Sequence, residues 1–300
     1  MLTTTTTAEP VFEAHRRYLS QLAYRMLGSV SDAEDIVQDA WLRWNEASRE
    51  EVVDPRAYLA RIVTRLCLDQ MKSARRRREL YVGAWLPEPL IETLGAANSR
   101  DDDLDVPIAL MVALERLSPL ERAAFLLRDI FDVEFSEIAR MLERSESTCR
   151  QLASRARQHV QQDKVRHHVS PADAERYAKA FFEASHGADP HALQSLLARD
   201  VVLHSDGGGK VLAVLNPILG ADKVTRFYAG LAQKVAKLGL TTQAYEPVLI
   251  NGMPGFISLE RGETLQTTAL DIRDGKIVAV YILRNPDKLR HVRSPAAAPI

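Results

Sequence analysis

Apolar residues recur at three- and four-residue spacing in residues 11–78 and 108–160, on either side of a break at 79–107, and this pattern predicts two series of amphipathic helices. The first predicted helix runs from Val11 to Leu27 and ends at Gly28. Ser31 and Glu34 form a predicted capping box at the start of the second, and Asp54-Pro55 begins the third. Another helix is predicted from Ile108 to Leu117, followed by one that Ser118 caps. The N-terminal half is therefore expected to be all-helical.

The last two helices of the second series, Phe135 to Leu142 and Glu146 to Arg157, are joined by a tight turn and predict a helix-turn-helix. In the second helix one face is apolar, and Ser145 is a good N-cap before it. Glu143 stands in the turn where glycine often supplies a left-handed residue. The outward polar residues suit phosphates or base edges, although an ordinary solvated face fits the same pattern.

From Ser170 onwards the pattern changes to helices followed by runs of strand-like residues. Helices are predicted after Ser170-Pro171, after Asp189-Pro190, and from Asp222 to Leu238. The hairpin signal Asp274-Gly275 joins the last two strands. Predicted strands are Val201 to His204, Val211 to Leu215, Tyr245 to Ile250, Gly255 to Leu259, Leu265 to Arg273 and Lys276 to Leu283. This order predicts an α+β domain with a curved sheet wrapped on a helix.

Composition is that of a soluble globular protein, with 46% hydrophobic and 26% charged residues in 300. No apolar run approaches the ~20 residues of a membrane span, so we expect a cytoplasmic chain without membrane contact. The two cysteines, Cys67 and Cys149, fall within helical patterns and are interpreted as buried thiols, so neither a disulfide nor a metal site nor a cofactor is predicted. A net charge of −1 means that DNA affinity must come from local patches.

Two local charge clusters stand out. Asp32, Asp35, Gln38 and Asp39 share the outer face of the second helix, where a simple solvated surface is the alternative interpretation. The third helix ends in Lys72 and Arg75 to Arg78, five positive charges within seven residues. Such a cluster can hold several phosphates, but it also stabilises the negative end of the helix dipole.

The residues around these clusters resemble a known family. The peptide SDAEDIVQDAW from Ser31 to Trp41, the peptide DPRAYL from Asp54, Asp69 and the arginine run resemble region two of the bacterial extracytoplasmic-function sigma factors. SPLERAAFLLRD from Ser118, FSEIA from Phe135 and SESTCRQLASRAR from Ser145 resemble region four of the same family. Two separate motifs in the expected order make chance agreement very improbable.

The resemblance implies that core RNA polymerase binds through its clamp helices and flap, and that the chain recognises the minus-ten and minus-thirty-five promoter elements. Polymerase contacts would come from Asp32, Glu34, Asp35, Gln38, Asp39 and Trp41. The minus-ten element would be read as separated strands by Arg61, Arg65, Lys72, Arg75 and Arg76. The minus-thirty-five element would be read by Ser147, Thr148, Arg150, Gln151, Ser154, Arg155 and Arg157.

The C-terminal part resembles the SnoaL-like cone, the nuclear-transport-factor-two type, and three peptides resemble signatures of the sigma-J type, in which such a domain is fused to the sigma regions. The three peptides are WLPEP (Trp85, Leu86, Pro87, Glu88, Pro89), DGGGK (Asp206, Gly207, Gly208, Gly209, Lys210) and NPDKL (Asn285, Pro286, Asp287, Lys288, Leu289). The resulting division is region two at 8–78, a linker at 79–107, region four at 108–166, the SnoaL-like domain at 170–290 and a flexible tail at 291–300.

The sequence therefore predicts two all-α sigma domains and an α+β cone that regulates them in cis, in a protein that is not itself an enzyme and has no catalytic residue. We hypothesise that the DGGGK and NPDKL peptides meet the WLPEP linker. Two alternatives are a ligand-responsive helix-turn-helix regulator and a bifunctional chain whose cone is a cyclase or isomerase. A small ligand would fit the cone, and His204 and Asp206 are expected near its mouth.

Overall fold

The computed structural model describes residues 8–47, 52–79, 81–94, 107–160, 170–187, 189–240, 242, 244–260 and 264–295. The chain divides into two compact units. Unit one comprises residues up to 80 together with 110–164, and unit two comprises 81–109 and everything from 165 onwards. The residues 81–94, predicted to lie in a linker, thus belong to the C-terminal unit; they are called the linker segment below.

The N-terminal half is helical, as predicted. Its elements are α1 Ala8–Leu27, α2 Val30–Glu46, α3 Pro55–Glu79, α4 Ile108–Leu114, α5 Pro119–Phe125, a π-helical turn Leu126–Ile130, α6 Phe135–Leu142 and α7 Glu146–Val160. Gly28 ends α1 with a φ of 70° and donates its N–H to the carbonyl of Tyr24 at 2.7 Å. The predicted helix-turn-helix is formed by α6 and α7.

Helix caps explain where these helices begin. The predicted capping box at Ser31 is wrong, because Ser29 caps α2 and accepts a hydrogen bond from the Asp32 N–H at 3.1 Å. Ser31 therefore lies inside the first turn rather than before it. At α5 the predicted box is confirmed: the Ser118 hydroxyl accepts from the Glu121 N–H, and the Glu121 carboxylate accepts from the Ser118 N–H.

Unit two is an α+β domain, which confirms the predicted class. Three helices, α8 Pro171–His186, α9 Pro190–Leu196 and α10 Ala221–Lys237, accompany one seven-stranded sheet of order β1-β4-β5-β6-β7-β2-β3. The strands are β1 Ile91–Thr93, β2 Leu197–Asp206, β3 Ile218–Leu219, β4 Ala244–Ile250, β5 Met253–Glu260, β6 Thr264–Arg273 and β7 Lys276–Leu283. Strand β2 runs parallel to β7, and the other neighbours are antiparallel.

Three features of the sheet differ from the sequence prediction, and one of them is the short strand β3, which was not predicted. The run from Val211 to Leu215 is a loop, because Gly208 and Gly209 adopt positive φ and turn the chain away from the sheet after β2. Strand β1 was not predicted, although it pairs in register with β4 through Ile91 and Ile250. The Asp274-Gly275 hairpin is confirmed, since both residues have positive φ, as a type I′ turn requires.

Cys67 and Cys149 are buried free thiols, as predicted. Burial raises the pKa of the Cys67 thiol, which keeps it protonated and unreactive. Within the described ranges, no helix combines the length and the apolarity needed to cross a membrane.

Candidate functional site

The outer face of α2 is acidic and exposed. Asp32 lies at its border, where it accepts a hydrogen bond from Gln70 Nε2 at 3.3 Å, and Trp41 packs edge-on against Phe12 with ring centroids 5.0 Å apart. Leu42, which is 53% exposed, follows Asp35 by seven residues and therefore joins this face. Fully outward side chains are Glu34, Asp35, Gln38 and Asp39. The sequence analysis did not identify Leu42 as part of this face, although its seven-residue spacing from Asp35 predicts that position.

The predicted minus-ten residues on α3 occupy different environments. Arg61 lies over the ring of Tyr58, and Lys72 pairs with Asp69 at 2.8 Å on the exposed surface. Arg65 forms an ion pair with Glu143 in the helix-turn-helix, at 2.5 Å between Nη2 and Oε1. The side chains of Arg75 and Arg76 lie outside the described part of the chain.

Helix α7 presents most of the predicted minus-thirty-five residues to solvent. Ser145 caps it by accepting from the Thr148 N–H at 3.2 Å, and the Thr148 hydroxyl is turned towards the same cap at 2.8 Å. Arg150 pairs with Glu146 at 2.8 Å and lies over the Phe135 ring. The other predicted contact residues that are exposed are Ser147, Gln151, Ser154 and Arg155.

Arg157 is placed differently from its neighbours. Its Nε donates to Asp129 Oδ1 at 2.8 Å, and Asp129 belongs to the π-helical turn after α5. The side chain is therefore tied to the body of its own domain, unlike that of Arg150. Because the helical period alone points Arg157 outward, the sequence did not reveal this contact.

Regions two and four touch within unit one. Glu143 adopts the left-handed conformation, with φ 54° and ψ 48°, which places its carboxylate against Arg65 of α3. Arg122 of α5 is 1% exposed; its Nε donates to the Arg25 carbonyl at 3.1 Å and its guanidinium also pairs with Glu115. Burial lowers the pKa of Arg122 to about 9, so the group stays charged at neutral pH.

The linker segment is held in unit two by one buried carboxylate, that of Asp206 at the end of β2. Asp206 is 0% exposed, and its Oδ1 accepts from the Tyr81 hydroxyl at 2.6 Å and from the Gly208 N–H at 3.0 Å. Its Oδ2 accepts from the Leu86 N–H at 2.9 Å and from Lys288 Nζ at 2.8 Å. Both oxygens are therefore saturated with donors, and two of those donors come from the linker segment.

Lys288 closes the same site from the C-terminal side. Its ammonium donates to the Leu86 carbonyl at 2.6 Å and lies 4.2 Å from the ring centroid of Trp85. Asn285 Nδ2 donates to the Tyr81 hydroxyl at 2.8 Å. Burial, followed by the hydrogen bond to Asp206, raises the pKa of Tyr81, so its hydroxyl remains a donor. We call Tyr81, Trp85, Leu86, Asp206, Asn285 and Lys288 the linker-docking site.

Two glycines of DGGGK, Gly207 and Gly208, leave no room for side chains. A Cβ on Gly207 would lie 2.2 Å from the Val211 carbonyl oxygen, and one on Gly208 would lie 2.2 Å from Asn285 Nδ2. Lys210 pairs with Asp287 on the surface, and this hydrogen bond lowers the pKa of the Asp287 carboxyl. The DGGGK and NPDKL peptides thus pack on each other as well as on WLPEP.

Contacts continue along the rest of the linker segment. The N–H of Leu90 donates to Asn251 Oδ1 at 3.1 Å, and the Leu90 carbonyl accepts from the Asn251 N–H at 2.8 Å. His291 Nε2 lies 2.8 Å from the Pro89 carbonyl, and Val292 is 8% exposed. The flexible tail predicted from 291 is therefore wrong at its first two residues, which pack instead. Tyr81, Asn251 and His291 were missed, because their partners are distant in sequence.

A cavity of about 740 Å³ lies between the sheet and helices α8 and α10. Its lining is mostly apolar and includes Phe181, Phe256, Tyr228 and Ile282. Ser205 lines it, whereas His204 stacks on Tyr281 and Asp206 faces the linker. Neither His204 nor Asp206 lines the cavity, because side chains alternate along a strand and Ser205 takes the inward position.

His186 and Glu260 form an ion pair in the cavity wall. His186 Nδ1 is 2.9 Å from the Phe182 carbonyl, which only accepts, so Nδ1 carries a proton while Nε2 faces Glu260 Oε1 at 3.1 Å. Burial lowers the pKa of His186, but Glu260 outweighs it and the net shift is upward. Ser258 and Thr242 also donate to Glu260, at 2.7 and 3.0 Å. This carboxylate is saturated and is a poor candidate for a general base.

Comparisons with known proteins agree with both halves of this arrangement. Family models for Sigma-70 region 2 and Sigma-70, region 4 match residues 11–77 and 108–160. The ECF RNA polymerase sigma factor SigJ of Mycobacterium tuberculosis is 41% identical over 92% of this chain and 91% of its own length. A probable ECF sigma factor of the same species, SigI, is 33% identical over 94% of this chain and 95% of its own. The crystal structure of M. tuberculosis SigJ superimposes with a TM-score of 0.74 at 38% identity, covering 93% of this chain and 97% of that one.

Proposed function

The chain belongs to the extracytoplasmic-function RNA polymerase sigma factors, which bind core polymerase and recognise promoter DNA, and we propose that its docked linker segment controls how its two DNA-reading regions are spaced. The observation that carries this proposal is the buried Asp206 carboxylate, which binds the connection between α3 and α4 through Tyr81 and Leu86.

In this proposal α2 supplies the polymerase contact. Asp35, Gln38 and Asp39 precede the exposed Leu42 on the same helix face, so an apolar side chain adjoins two carboxylates. A basic groove on the polymerase clamp helices would complement that pattern. Region four would contact the flap, as the family resemblance implies.

Promoter reading is assigned to α3 and α7. Arg61, Arg65 and Lys72, with Arg75 and Arg76 beyond the described side chains, would follow the separated strands of the minus-ten element. Arg150 is the best-placed residue for a bidentate base contact at minus thirty-five, with Ser147, Thr148, Gln151, Ser154 and Arg155 in support. Arg157 is reassigned from DNA contact to holding α7 on its domain through Asp129.

The compact form of unit one must open on a promoter. Elements at minus ten and minus thirty-five lie about 25 base pairs apart, which is roughly 85 Å of duplex. Regions that touch through Arg65 and Glu143 do not reach both elements at once. While residues 81–93 stay docked they cannot change their end-to-end distance, so docking limits the separation that regions two and four can adopt. Such control requires contacts that differ in strength between two arrangements of regions two and four.

Run-off transcription with core polymerase tests the proposal, using the full chain and a truncation after Arg166. Promoter-dependent transcript is expected, and its absence with both proteins would overturn the sigma assignment. Asp35→Lys with Asp39→Lys should weaken core binding at least tenfold, whereas Glu9→Lys on the exposed surface of α1 should not. Trp85→Ala and Lys288→Met should change transcript yield while core binding stays measurable; unchanged yield from both would contradict the control by docking.

A further inference from the structure

The cavity of unit two has the dimensions of a ligand site. Its volume of about 740 Å³ falls inside the range of small-molecule pockets, and aromatic rings from α8, α10 and β5 dominate its interior. Phe182 stacks on His186 with centroids 4.2 Å apart, so an aromatic wall leads up to the His186–Glu260 pair. An interior of this kind favours the burial of a flat, apolar ring system.

Polar groups of the cavity gather at one edge of the sheet. Because β2 is parallel to β7, and both β5 and β7 are antiparallel to β6, the C-terminal ends of β2, β5 and β7 lie on the same side. Ser205, Glu260 and Arg284 line the cavity at those three ends. The cavity is therefore polarised, with an apolar interior and a hydrogen-bonding mouth, which suits a molecule that has an apolar ring body and one polar group.

The mouth adjoins the linker-docking site through neighbouring residues on two strands. Ser205 faces the cavity while Asp206 binds the linker segment, and Arg284 lines the cavity while Asn285 binds Tyr81. The N–H groups of Arg284 and Asn285 both donate to the Asp206 carbonyl, at 2.8 and 3.1 Å. The two strand ends are thus locked together between the cavity and the linker.

A loop completes this wall. Residues 212–214 line the cavity, and Arg284 Nη1 donates to the Leu212 carbonyl at 2.7 Å. Ala213 packs against Gly207 of DGGGK, where a Cβ on the glycine would come within 2.8 Å of the Ala213 Cβ. The wall that a ligand would touch is therefore built on the same residues that hold the docked linker.

We propose that this cavity binds a mostly apolar, ring-containing organic molecule carrying a single acidic or hydrogen-bonding group, and that its binding stabilises the docked linker segment. The ligand contacts a wall that is formed when the linker is docked, so it binds that state more tightly and shifts the population towards it. The role of this ligand in controlling transcription rests on the sigma function proposed above. Ligand binding in the cavity, and its effect on docking of the linker segment, do not rest on that function, because both are measured without polymerase or DNA.

The probe is 8-anilinonaphthalene-1-sulfonate, which has an aromatic body and one acidic group. Titration of the full chain, followed by fluorescence and calorimetry, should give saturable binding of one probe per chain. Ala232→Trp fills the cavity from α10 and should weaken binding at least tenfold. Gln233→Trp, on the exposed face of the same helix, is the matched control and should bind like the parent. Ala236→Leu is a smaller filling change in case Ala232→Trp does not fold.

Hydrogen exchange reports the coupling. The Leu86 N–H donates to Asp206, so its exchange should slow severalfold when the probe saturates the full chain, and the slowing should disappear in the filled variants. Binding that does not saturate, or that resists both cavity-filling changes, would overturn the site. Saturable cavity binding with unchanged Leu86 exchange would overturn the coupling. Neither result bears on whether the chain supports transcription.

Discussion

Lys288 and Asp206 form an ion pair in the interior of the C-terminal unit, with 2.8 Å between Nζ and Oδ2 and side chains that are 11% and 0% exposed. An ion pair this deeply buried is favourable only when its remaining donors and acceptors are also satisfied. The Leu86 carbonyl and N–H, together with Tyr81 and Gly208, supply those partners. The linker segment therefore completes a polar centre that the domain would otherwise leave short of partners.

The substitution Asp206→Asn tests this dependence. The asparagine side chain would keep the size of the aspartate but leave the Lys288 ammonium buried without its counter-charge, and breaking such a pair costs about 3–5 kcal/mol. We expect a loss of that order in the free energy of unfolding of the C-terminal unit, measured in urea, together with faster exchange of the Leu86 N–H.

The matched control is Asp287→Asn, which breaks ion pairs with Lys210 and Arg290 that are all on the surface, since the Asp287 side chain is 41% exposed and those of Lys210 and Arg290 are 54% and 78% exposed. Solvent screens such pairs, so the loss should stay below about 1 kcal/mol. Equal losses for the two variants would show that burial of the Asp206 pair is not what holds the linker segment.

Sequence patterns predicted most of the helical half and the peptides of the docking site, because both depend on local features. Caps, helical periods and hairpin signals are encoded within a few residues, as at Ser118 and Asp274-Gly275. The three peptides were grouped by family resemblance rather than by chemistry. The reason for an aspartate at position 206 is that its carboxylate binds Tyr81, 125 residues away in the sequence. This contact is visible only in the structure.

What escaped prediction depends on distant partners. Strand β1 is three residues long and pairs with β4, so no periodic signal marks it. Val211 to Leu215 has strand-like residues, but the glycines before it redirect the chain. The side chain of Arg157 follows the outward helical period, yet Asp129 from another turn reaches it. For β1 and Arg157 a tertiary contact outweighs the local pattern, and for Val211 to Leu215 the turn before the segment does.

Arg150 and Arg157, two of the three arginines of α7, should respond differently to truncation. Arg150→Ala removes an exposed side chain; if Arg150 makes a bidentate contact, discrimination at one promoter position should fall by about 1–3 kcal/mol. Arg157→Ala instead breaks the pair with Asp129, so it should lower the stability of the helical unit by about 1 kcal/mol. Promoter-binding titrations across single-base variants and urea unfolding separate the two effects.

A double-mutant cycle supplies the control for Arg157. If Arg157 acts through Asp129, then Asp129→Ala should cost a similar amount, and adding Arg157→Ala to it should cost little more. Strictly additive losses, combined with a base-specific defect for Arg157→Ala, would return Arg157 to the DNA-reading set.

Glu143 combines two roles that substitution can separate. As a non-glycine residue at φ 54° it carries backbone strain, and its carboxylate binds Arg65. Glu143→Gly should relieve the strain and stabilise the helical unit by roughly 0.5–1 kcal/mol, since the exposed ion pair is worth less. Glu143→Gln keeps the strain and loses only the charge, so it should be neutral or slightly destabilising. Urea unfolding that shows Glu143→Gly to be the less stable variant would contradict this assignment.

The His186–Glu260 pair predicts a pH-dependent stability of the C-terminal unit. The pKa of His186 is raised from its ordinary 6.5, so its contribution is complete below that pH and is lost as pH rises through the folded value. The pKa of Glu260 is lowered from its ordinary 4.5, so its contribution is present above that pH and is lost as pH falls through the folded value. The pair therefore contributes most between about pH 4.5 and 6.5.

His186→Gln keeps a hydrogen-bond donor towards Glu260 but removes the charge that titrates. We expect it to destabilise the unit by about 1–2 kcal/mol near pH 6, and the gap from the parent should narrow as pH rises towards 8.5 and the parent loses its imidazolium. Calorimetric unfolding across this range measures the gap. His191→Gln, an exposed histidine change on α9 outside the pair, is the matched control. A gap for His186→Gln that stays constant from about pH 6 to 8.5 would mean that the pair is held by neutral hydrogen bonds rather than by charge.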